Sequence, residues 1–372
     1  MKDSKKKSKK KMFIIVSAVF LALILLLIGA AWLLVKSYLG RIDYDHGDAA
    51  KDQTVSLLTD EEIEKQLREE EPDSTESDSP EEEIAALEEQ MASQQKDVED
   101  AQILSSENVL NILLVGCDSR KQGGSGRSDT MILISINEDT QKIHMTSIMR
   151  DCYVSIPGKG NNRINAAYAY GGGSLLLDTV KSNFSMDVDR YVAIDFYSFV
   201  DIIDTMGGVD IEVSEEEIPV LNAYVKELNK LNGREESTWF LTESGLQHLN
   251  GTQALGYARI RYVGNGDFER TERQRLVVSK VFEKAKNMNL LEINNLLNTL
   301  LPEVKTNMTE EELMSLLLKA ATYLTYDLDS MRIPVDGSYQ SMRVRGMSVL
   351  GVDLEKNIEA LKQFIYQGNC IK

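Results

Sequence analysis

The chain is short of the residues that build a disulfide framework or a histidine metal site. It has three cysteines and three histidines in 372 residues. An odd number of cysteines leaves no complete set of bridges, although Cys117 and Cys152 could form one bridge or stay free thiols. His46, His144 and His248 are scattered along the sequence, so we do not expect them to ligate one zinc ion.

Long hydrophobic runs are absent apart from residues 12–35, which carry no charge. At 1.5 Å per residue they reach about 36 Å, enough to cross a hydrocarbon core of about 30 Å. A secretory signal would be shorter and would end in a small-residue cleavage site. Trp32 and Tyr38 lie where an interfacial aromatic belt is expected. Residues 1–11, with seven lysines, should stay in the cytoplasm, so we expect a single-pass cell-membrane anchor with all later residues extracellular.

Positive charge is scarce in the stretch directly after the anchor. The chain has a net charge of −18, and residues 41–106 account for almost all of it. We therefore expect residues 36–106 to form an acidic, mostly disordered stalk, with transient helices near 57–71 and 81–102. An accessory folded domain is the alternative. Nucleic acid is not an expected partner, because the short lysine tail contains no reader module.

From residue 107 to 372 the pattern alternates between strand-like and helix-like segments. NILLVG, TMILISIN and KIHMTSIMR are short apolar runs, and the NEDTQ turn between the last two predicts an antiparallel hairpin. Further strands are expected at RYVAIDF, VDIEV and MRIPVD, and helices at residues 174–184, 197–206, 271–288, 290–300, 309–323 and 354–366. Residues 246–260 are expected to form a capped helix with a strand-like end. This order predicts one α/β (mixed α+β) domain with a single central mixed β-sheet covered by helices on both faces.

Arginines concentrate in four segments of this otherwise acidic chain. The segments are GCDSR with GRSDTM, IMRDCY, RINAAYAYGGG, and YARIRYVGNGDFERTERQR. Planar guanidinium groups match phosphate oxygens better than any other side chain does. We therefore expect a phosphorylated substrate, with a pyrophosphate group, outside the cell.

Two aspartates in the first segment could bind a cation. Asp118 and Asp129 flank a glycine-rich loop between two predicted strands, at the edge where open α/β sheets bind ligands. Such carboxylates suit a hard cation such as Mg²⁺, although they could instead cap turns or pair with arginines. Arg150 and Asp151 follow a predicted strand, where a surface ion pair would contribute little to stability. Glycines 171–173 could hold phosphate or could end a helix.

The last segment is the most specific of the four. Arg259 and Arg261 alternate along a predicted strand and should share one face. After the GNGD turn, Arg270, Arg273 and Gln274 fall within about one helical turn. A surface role cannot account for the strand pair, so we expect these side chains to meet at an anionic ligand.

Together these segments resemble the LytR-CpsA-Psr (LCP) family, membrane-anchored bacterial enzymes that attach anionic glycopolymers to the cell wall. The similarity extends over about residues 109–274. The matching stretches are NILLVGCDSR, GRSDTMILISIN, MRDCYVSIPG, RINAAYAYGGG, MGGVDIEV, LNGTQALGYARIR and DFERTERQR.

The resemblance implies an LCP-like fold and a phosphotransferase that acts on a lipid-linked polymer such as teichoic acid or capsule. It would move a phosphorylated glycan from an undecaprenyl-pyrophosphate carrier to a peptidoglycan hydroxyl. Asp118 and Asp129 would ligate Mg²⁺ or Mn²⁺. The implied contacts to the pyrophosphate or head group are Arg120, Arg127, Arg150, Arg163, Arg259, Arg261, Arg270, Arg273 and Gln274. Phosphoryl transfer mainly needs charge neutralisation, which Arg127 and Arg150 would supply, while Asp151 or Asp118 could accept the hydroxyl proton.

Two residues depart from the family pattern. Met149 stands where proline is usual, which could loosen that strand end, and Arg163 stands where lysine is common, which changes contact geometry. An apolar groove for the lipid could be lined from residues 166–170, 175–180 or 196–206.

Other functions remain open. A pyrophosphatase or phosphodiesterase would act on the same carrier, with water replacing the acceptor. A membrane-bound transcriptional regulator of the cell envelope would need a cytoplasmic reader, and residues 1–11 do not supply one. Intact aspartate and arginine positions argue against a lipid-binding paralogue without turnover.

Overall fold

The structure is a computed structural model that describes residues 36–45, 77–100, 103–118, 127–261 and 263–367. Of residues 99, 100, 118 and 127 it describes the backbone only. The predicted cytoplasmic tail and anchor, residues 1–35, lie outside this part of the chain. Within the described ranges, no helix combines the length and the apolar character needed to cross a bilayer.

Strands and helices alternate along the described chain. The strands are β1 (Asp43–Tyr44), β2 (Val109–Asp118), β3 (Arg127–Asn137), β4 (Lys142–Ile148), β5 (Cys152–Ile156), β6 (Gly160–Arg163), β7 (Tyr191–Asp195), β8 (Val209–Val213), β9 (Gly245–Leu249), β10 (Lys305–Thr306), β11 (Asp327–Ile333), β12 (Tyr339–Val344) and β13 (Met347–Val352). The helices are α1 (Glu81–Asp100), α2 (Ala166–Phe184), α3 (Phe196–Thr205), α4 (Glu217–Leu231), α5 (Gly251–Ala258), α6 (Asp267–Ala285), α7 (Leu290–Leu300), α8 (Glu310–Tyr323) and α9 (Leu354–Tyr366).

The central sheet is mixed, with strand order β1-β10-β7-β2-β3-β4-β11. The predicted β3–β4 hairpin is confirmed, with Ile136 opposite Ile143. Side chains alternate between the two faces of β2. Leu113 and Val115 enter the main core with α2 and α9, whereas Leu114 and Gly116 face a cavity beside α3 and α6. Helices therefore cover both faces of the sheet, as predicted.

Strand direction brings several polar segments to one edge of this sheet. β2 is parallel to β7, β4 is parallel to β11, and β3 lies antiparallel between β2 and β4. The carboxyl ends of β2, β4, β7 and β11 therefore meet the beginning of β3. The described residues of the GCDSR, GRSDTM and IMRDCY segments all lie there.

The prediction of a single sheet is wrong. β5 belongs to a separate four-stranded sheet of order β12-β13-β5-β6, and β8 pairs with β9 in a two-stranded ribbon. The chain turns at Met149–Asp151 between β4 and β5, so that IMRDCYVSI spans two sheets. A continuous apolar pattern conceals this break, because hydrophobic alternation does not report which partner a strand will find.

The prediction of a mostly disordered stalk over residues 36–106 is also wrong in its described parts, although a helix was expected near residues 81–102. Helix α1 packs Leu87, Met91 and Val98 into the main core, and β1 adds to the central sheet beside β10. Most of the acidic residues of α1 whose side chains are described are exposed. Its sparse apolar residues share one side, which is enough for docking onto a preformed domain. The folded unit therefore begins well before residue 107.

Docking of α1 should contribute to the stability of the whole domain. Leu87 is 8% exposed and lies in the core, so we expect Leu87→Ala to lower the free energy of unfolding by roughly 2–4 kcal/mol. The neighbouring Glu89 is exposed, and Glu89→Ala supplies the control, with an expected change within about 0.5 kcal/mol. Denaturant unfolding of both variants measures the difference, and equal values would mean that α1 does not belong to the cooperative unit.

Candidate functional site

A β-bulge presents the first site carboxylate. The register between β2 and β3 shifts after Gly116, which pairs with Thr130, because Cys117 pairs with Ser128. Asp129 is the extra residue on β3. Bulges redirect side chains next to functional sites, and here Asp129 faces the cavity beside α3 and α6.

Arg150 joins the bulge to α6. It follows β4 and is 4% exposed. Its Nη1 donates to Asp129 Oδ1 at 2.8 Å, and its Nε donates to Asp267 Oδ2 at 3.1 Å. The expectation that Met149 loosens this strand end is wrong. Met149 is buried, and its N–H donates to the Ile333 carbonyl at 3.0 Å, a hydrogen bond that proline could not make.

Asp267 is the counter-ion shared by three arginines. It is the first residue of α6, where the positive end of the helix dipole favours a carboxylate. Besides Arg150 it binds Arg261 Nε at 2.7 Å and Arg270 Nη2 at 2.8 Å. Although burial opposes ionisation, the positive charges of these arginines hold the pKa of Asp267 well below its ordinary value.

Asp151 completes the cluster from the opposite side. Its Oδ1 lies 3.7 Å from Arg150 Nε and 3.4 Å from Nη1 of the fully buried Arg163. Burial raises the pKa of Asp151; the two arginines oppose the rise and the nearby Asp267 carboxylate adds to it. The two carboxyl groups are therefore shifted in opposite directions, with the pKa of Asp151 raised and that of Asp267 lowered.

The raised pKa of Asp151 predicts how stability should respond to pH. The folded protein binds the proton of this carboxyl group more tightly than the unfolded chain does. The contribution of this proton to the free energy of unfolding is therefore complete below the ordinary pKa of 3.8, and it is lost as pH rises through the raised pKa of Asp151. We expect Asp151→Asn, which cannot ionise, to gain Tm relative to the parent protein between pH 4 and neutrality. Asp336→Asn, at an 87% exposed position, should show no such trend, and a constant difference for Asp151→Asn would contradict the assignment.

An apolar cavity of about 410 Å³ opens beside the arginines. Arg150, Arg261, Arg270 and Gln274 line one end of it. Its remaining walls are mostly apolar side chains from α3, α5, α6 and α7, among them Phe199, Ile202, Ile203, Met206, Leu255, Val277, Val278, Val281, Ala285, Leu296 and Leu300. Between Arg270 and Ala285 the lining follows α6 for about 22 Å at 1.5 Å per residue. The cavity thus joins a cationic end to a long hydrophobic tunnel.

Arg259 lies at the same end, but not on a strand. It caps α5, so the predicted alternation of Arg259 and Arg261 along a strand is wrong. The Asn250 capping box starts this short helix, and Arg259 directly follows its last residue, Ala258. The guanidinium of Arg259 lies over the rings of Phe196 and Tyr224, at 5.3 and 4.7 Å from their centroids.

Arg273 does not point into the cavity. Its Nε donates to Glu217 Oε1 at 2.7 Å and its Nη2 to Glu269 Oε2 at 3.0 Å, so the structure places it in an ion pair between α6 and α4. Arg273 lies about 60° around the helix axis from Arg270, and Gln274 lies about 40° from Arg270 in the opposite sense. Gln274 and Arg270, four apart, share the cavity face instead.

Several predicted site residues lie at the limit of the described chain. Arg120 lies outside the described residues, and only the backbone of Asp118 and Arg127 is described. In the ladder Asp118 pairs with Arg127, two residues before Asp129. Among the described side chains there is no group of three or more potential metal ligands. The backbone register brings residues 118 and 129 near one another, and carboxylates at these positions would suit Mg²⁺, which commonly binds one or two protein carboxylates and substrate phosphates.

A second groove, of about 720 Å³, lies on the other side of the charged cluster. Asp151 and Asp267 form its wall. Its other lining residues are largely hydroxyl, amide and apolar: Ser77, Ser79, Met149, Asn265, Phe268, Ser341, Met342, Arg343, Ser348, Val349 and Leu350. The carboxyl pair therefore separates an apolar tunnel from a polar groove.

The structure also decides between the alternatives left by the sequence. Of the candidate groove segments, 196–206 lines the cavity, whereas 166–170 and 175–180 pack in the main core. The glycines form a kink within α2, and Gly173 packs so closely on Tyr191 that a Cβ would overlap the ring. Cys117 and Cys152 are buried free thiols, and burial raises the pKa of Cys117 to about 12.

Comparison with known proteins gives a consistent result. The family described as LytR_cpsA_psr matches residues 74–364. The Bacillus cereus polyisoprenyl-teichoic acid–peptidoglycan teichoic acid transferase TagU is 34% identical over 245 residues, 65% of this chain and 74% of that protein. The Staphylococcus aureus (strain COL) regulatory protein MsrR is 29% identical over 264 residues, 70% and 76% of the two chains. A solved structure of TagT bound to LI-WTA superposes with a TM-score of 0.56 at 26% identity, covering 69% of this chain and 90% of that one.

The family match covers most of the described residues, including α1 and every arginine of the charged cluster. The fold, the convergence of the four arginine segments and this match lead to the same conclusion: the chain belongs to the LytR-CpsA-Psr family.

Proposed function

We propose that this protein transfers a phosphorylated glycan from a polyprenyl-pyrophosphate carrier, undecaprenyl in our expectation, to a hydroxyl of peptidoglycan. The observation that carries the proposal is the cavity with arginines at one end and a long apolar wall behind them. Few ligands combine a diphosphate with a hydrocarbon tail of that length. The relative TagU is named for the corresponding teichoic acid transfer.

The arginine cluster suits the pyrophosphate. Arg270 is 5% exposed, and its buried Nε has no hydrogen-bond acceptor among the described residues. Unpaired buried donors are costly, and a phosphate oxygen would relieve that cost. The shared counter-ion Asp267 keeps Arg150, Arg261 and Arg270 together before substrate arrives, so that little reorganisation is needed on binding. Asp118 and Asp129 would hold Mg²⁺ or Mn²⁺, which would neutralise part of the diphosphate charge.

The polar groove suits the acceptor glycan. Its serines and Asn265 offer hydrogen bonds, and Phe268 offers a flat apolar surface. A hydroxyl oxygen in the groove would attack the phosphorus that carries the glycan. The bond from that phosphorus to the prenyl phosphate would break, and prenyl phosphate would leave with its chain in the tunnel. Asp151, on the wall of the groove, would take the hydroxyl proton, because a carboxyl with a raised pKa is the stronger base once ionised.

Residues 12–35 would anchor this enzyme, with the lysine tail in the cytoplasm and the folded domain outside. A transcriptional role would require a cytoplasmic reader that residues 1–11 do not provide. Full cellular function of an Arg127→Ala, Arg259→Ala double variant would revive direct regulation.

Incubation of the purified full chain with a lipid-pyrophosphate glycan, Mg²⁺ and peptidoglycan oligomers tests the proposal. We expect a covalent glycan–peptidoglycan adduct and an equal amount of prenyl phosphate. Release of free phosphoglycan without an adduct, even at high acceptor concentration, would identify a hydrolase of the same carrier instead. A reaction unaffected by EDTA would remove the metal from the proposal while leaving the transfer intact.

A further inference from the structure

Two adjacent leucines are exposed at the turn between α6 and α7. Leu290 is 87% exposed and Leu291 is 69% exposed, and they are the first two residues of α7. Single exposed leucines are common on protein surfaces. These two, however, follow closely on Ala285, the cavity-lining residue farthest along α6 from the arginines. The turn therefore lies at the apolar end of the tunnel.

The segment that follows the predicted anchor lies along the same helix. Arg41 Nη1 donates to Asn298 Oδ1 at 2.6 Å, and Tyr38 Oη donates to Asn294 Oδ1. Leu39 and Ile42 are buried in one small cluster with apolar residues of α7. Residues 36–45 are thus fixed to α7 by both polar and apolar contacts.

These contacts give the direction in which the chain arrives. Tyr38 contacts Asn294 and Arg41 contacts Asn298, pairs that are 256 and 257 residues apart in sequence. The segment and α7 are therefore parallel. Lys36 is therefore nearest the amino-terminal end of α7. The hydrophobic run 12–35 ends directly before Lys36 in the sequence.

We propose that Leu290 and Leu291 rest in the outer surface of the lipid bilayer, with the apolar end of the tunnel facing the membrane. The inference rests on the predicted anchor; its extension, that prenyl chains enter the tunnel at this end, rests on the proposed function. Burial of leucine in a bilayer interface is favourable. Lys286, exposed on the same turn, suits lipid phosphates. The arginine cluster then lies at the opposite end of α6, toward the cell wall.

A depth measurement on the full chain in proteoliposomes tests the surface itself. Leu290→Cys, labelled with an environment-sensitive fluorophore in a Cys370→Ser background, should be quenched strongly by lipids with a nitroxide near the head group. Cys117 and Cys152 are buried thiols and should not label. Leu246→Cys is the matched control: Leu246 is 71% exposed but pairs with Glu212 on the ribbon. The ribbon begins after Gly207 and Gly208, whose carbonyls accept from Lys284 near the end of α6. It then runs along α6 toward Glu217, which pairs with Arg273, so Leu246 lies nearer the arginine end of the helix. Equal quenching at both positions, or none at Leu290, would overturn the inference.

A substrate comparison tests chain entry. In the full chain, Leu290→Glu with Leu291→Glu should reduce transfer from bilayer-embedded carrier by roughly tenfold or more, because burying even one leucine contributes more than that factor. Transfer from a short, water-soluble prenyl-pyrophosphate glycan should be unchanged, and so should both reactions of Leu246→Glu. Equal loss on both substrates would contradict entry at this turn. An inactive parent protein would contradict the proposed function, while the quenching result would still decide the membrane contact.

Discussion

Arg150→Ala should reduce glycan transfer by roughly 10³-fold, more than any other single arginine change in the cluster. Arg150 contacts both the bulge carboxylate Asp129 and the counter-ion Asp267, so its loss removes a guanidinium from the reacting phosphate and also unlinks the two sides of the site. Removal of one preorganised donor to a developing oxyanion costs about 10²–10³ in kcat. The second effect places this variant at the upper end of that range.

Two variants sharpen the measurement. Arg150→Lys keeps the charge but loses the planar fork, and should recover only a small part of the rate. Arg190→Ala removes an arginine that pairs with Glu312 at the surface and should retain full activity. Initial rates of adduct formation measure all three. Near-normal turnover of Arg150→Ala, in protein with unchanged unfolding behaviour, would place the reaction elsewhere.

Asp267→Asn should have opposite effects on stability and on anion binding. Asp267 neutralises Arg150, Arg261 and Arg270, and breaking a buried ion network by removing one partner costs about 3–5 kcal/mol. We therefore expect a clear fall in Tm for the ligand-free variant. Inorganic pyrophosphate should then restore more stability to the variant than to the parent protein, because it replaces the missing charge.

Thermal unfolding with and without pyrophosphate measures both effects. Asp336→Asn is the control, since Asp336 also pairs with an arginine four residues away but is 87% exposed, and exposed pairs contribute little. If Asp267→Asn loses stability without a larger pyrophosphate response, the arginines do not form an anion site.

Local sequence patterns predicted most elements because their apolar spacing matches a single period. Strands β2, β3, β4, β7 and β11, the β3–β4 hairpin, and helices α3, α6, α7, α8 and α9 follow that logic, whereas β1, β10 and α4 were not predicted. The four-stranded sheet was missed because β5 continues the apolar run of β4 after only three intervening residues. Helix α1 was placed in a disordered stalk because its composition is acidic, although three apolar side chains on one face suffice to dock it.

For the site, residue type and position relative to strand ends were more informative than periodicity. Arg150, Arg163, Arg261 and Arg270 come together as expected for a common anion site, although Arg163 lies behind Asp151 rather than on the cavity wall. Arg273 does not join this site, because it pairs with Glu217, which is 56 residues away in sequence. No local signal reports such a pair.

Asp267 was not singled out from the sequence, despite lying within the DFERTERQR stretch. Its role depends on three arginines from different parts of the chain. One signal was nevertheless present: an aspartate that begins a helix, with an arginine three residues later, is a favourable local pair. The bulge at Asp129 has no comparable signal, since its register shift depends on how β2 and β3 pair.

The length of α6 has a consequence for how the carrier must move. One continuous helix of 19 residues, about 28 Å long, links the arginines to the α6–α7 turn. If that turn sits on the bilayer, the diphosphate can react only after its first several isoprene units have been drawn out of the lipid phase. The protein would then draw part of the carrier's prenyl chain out of the bilayer and into the apolar tunnel. The cost would be small because both environments are hydrophobic. The polymer would thereby be raised toward the wall before it is joined there.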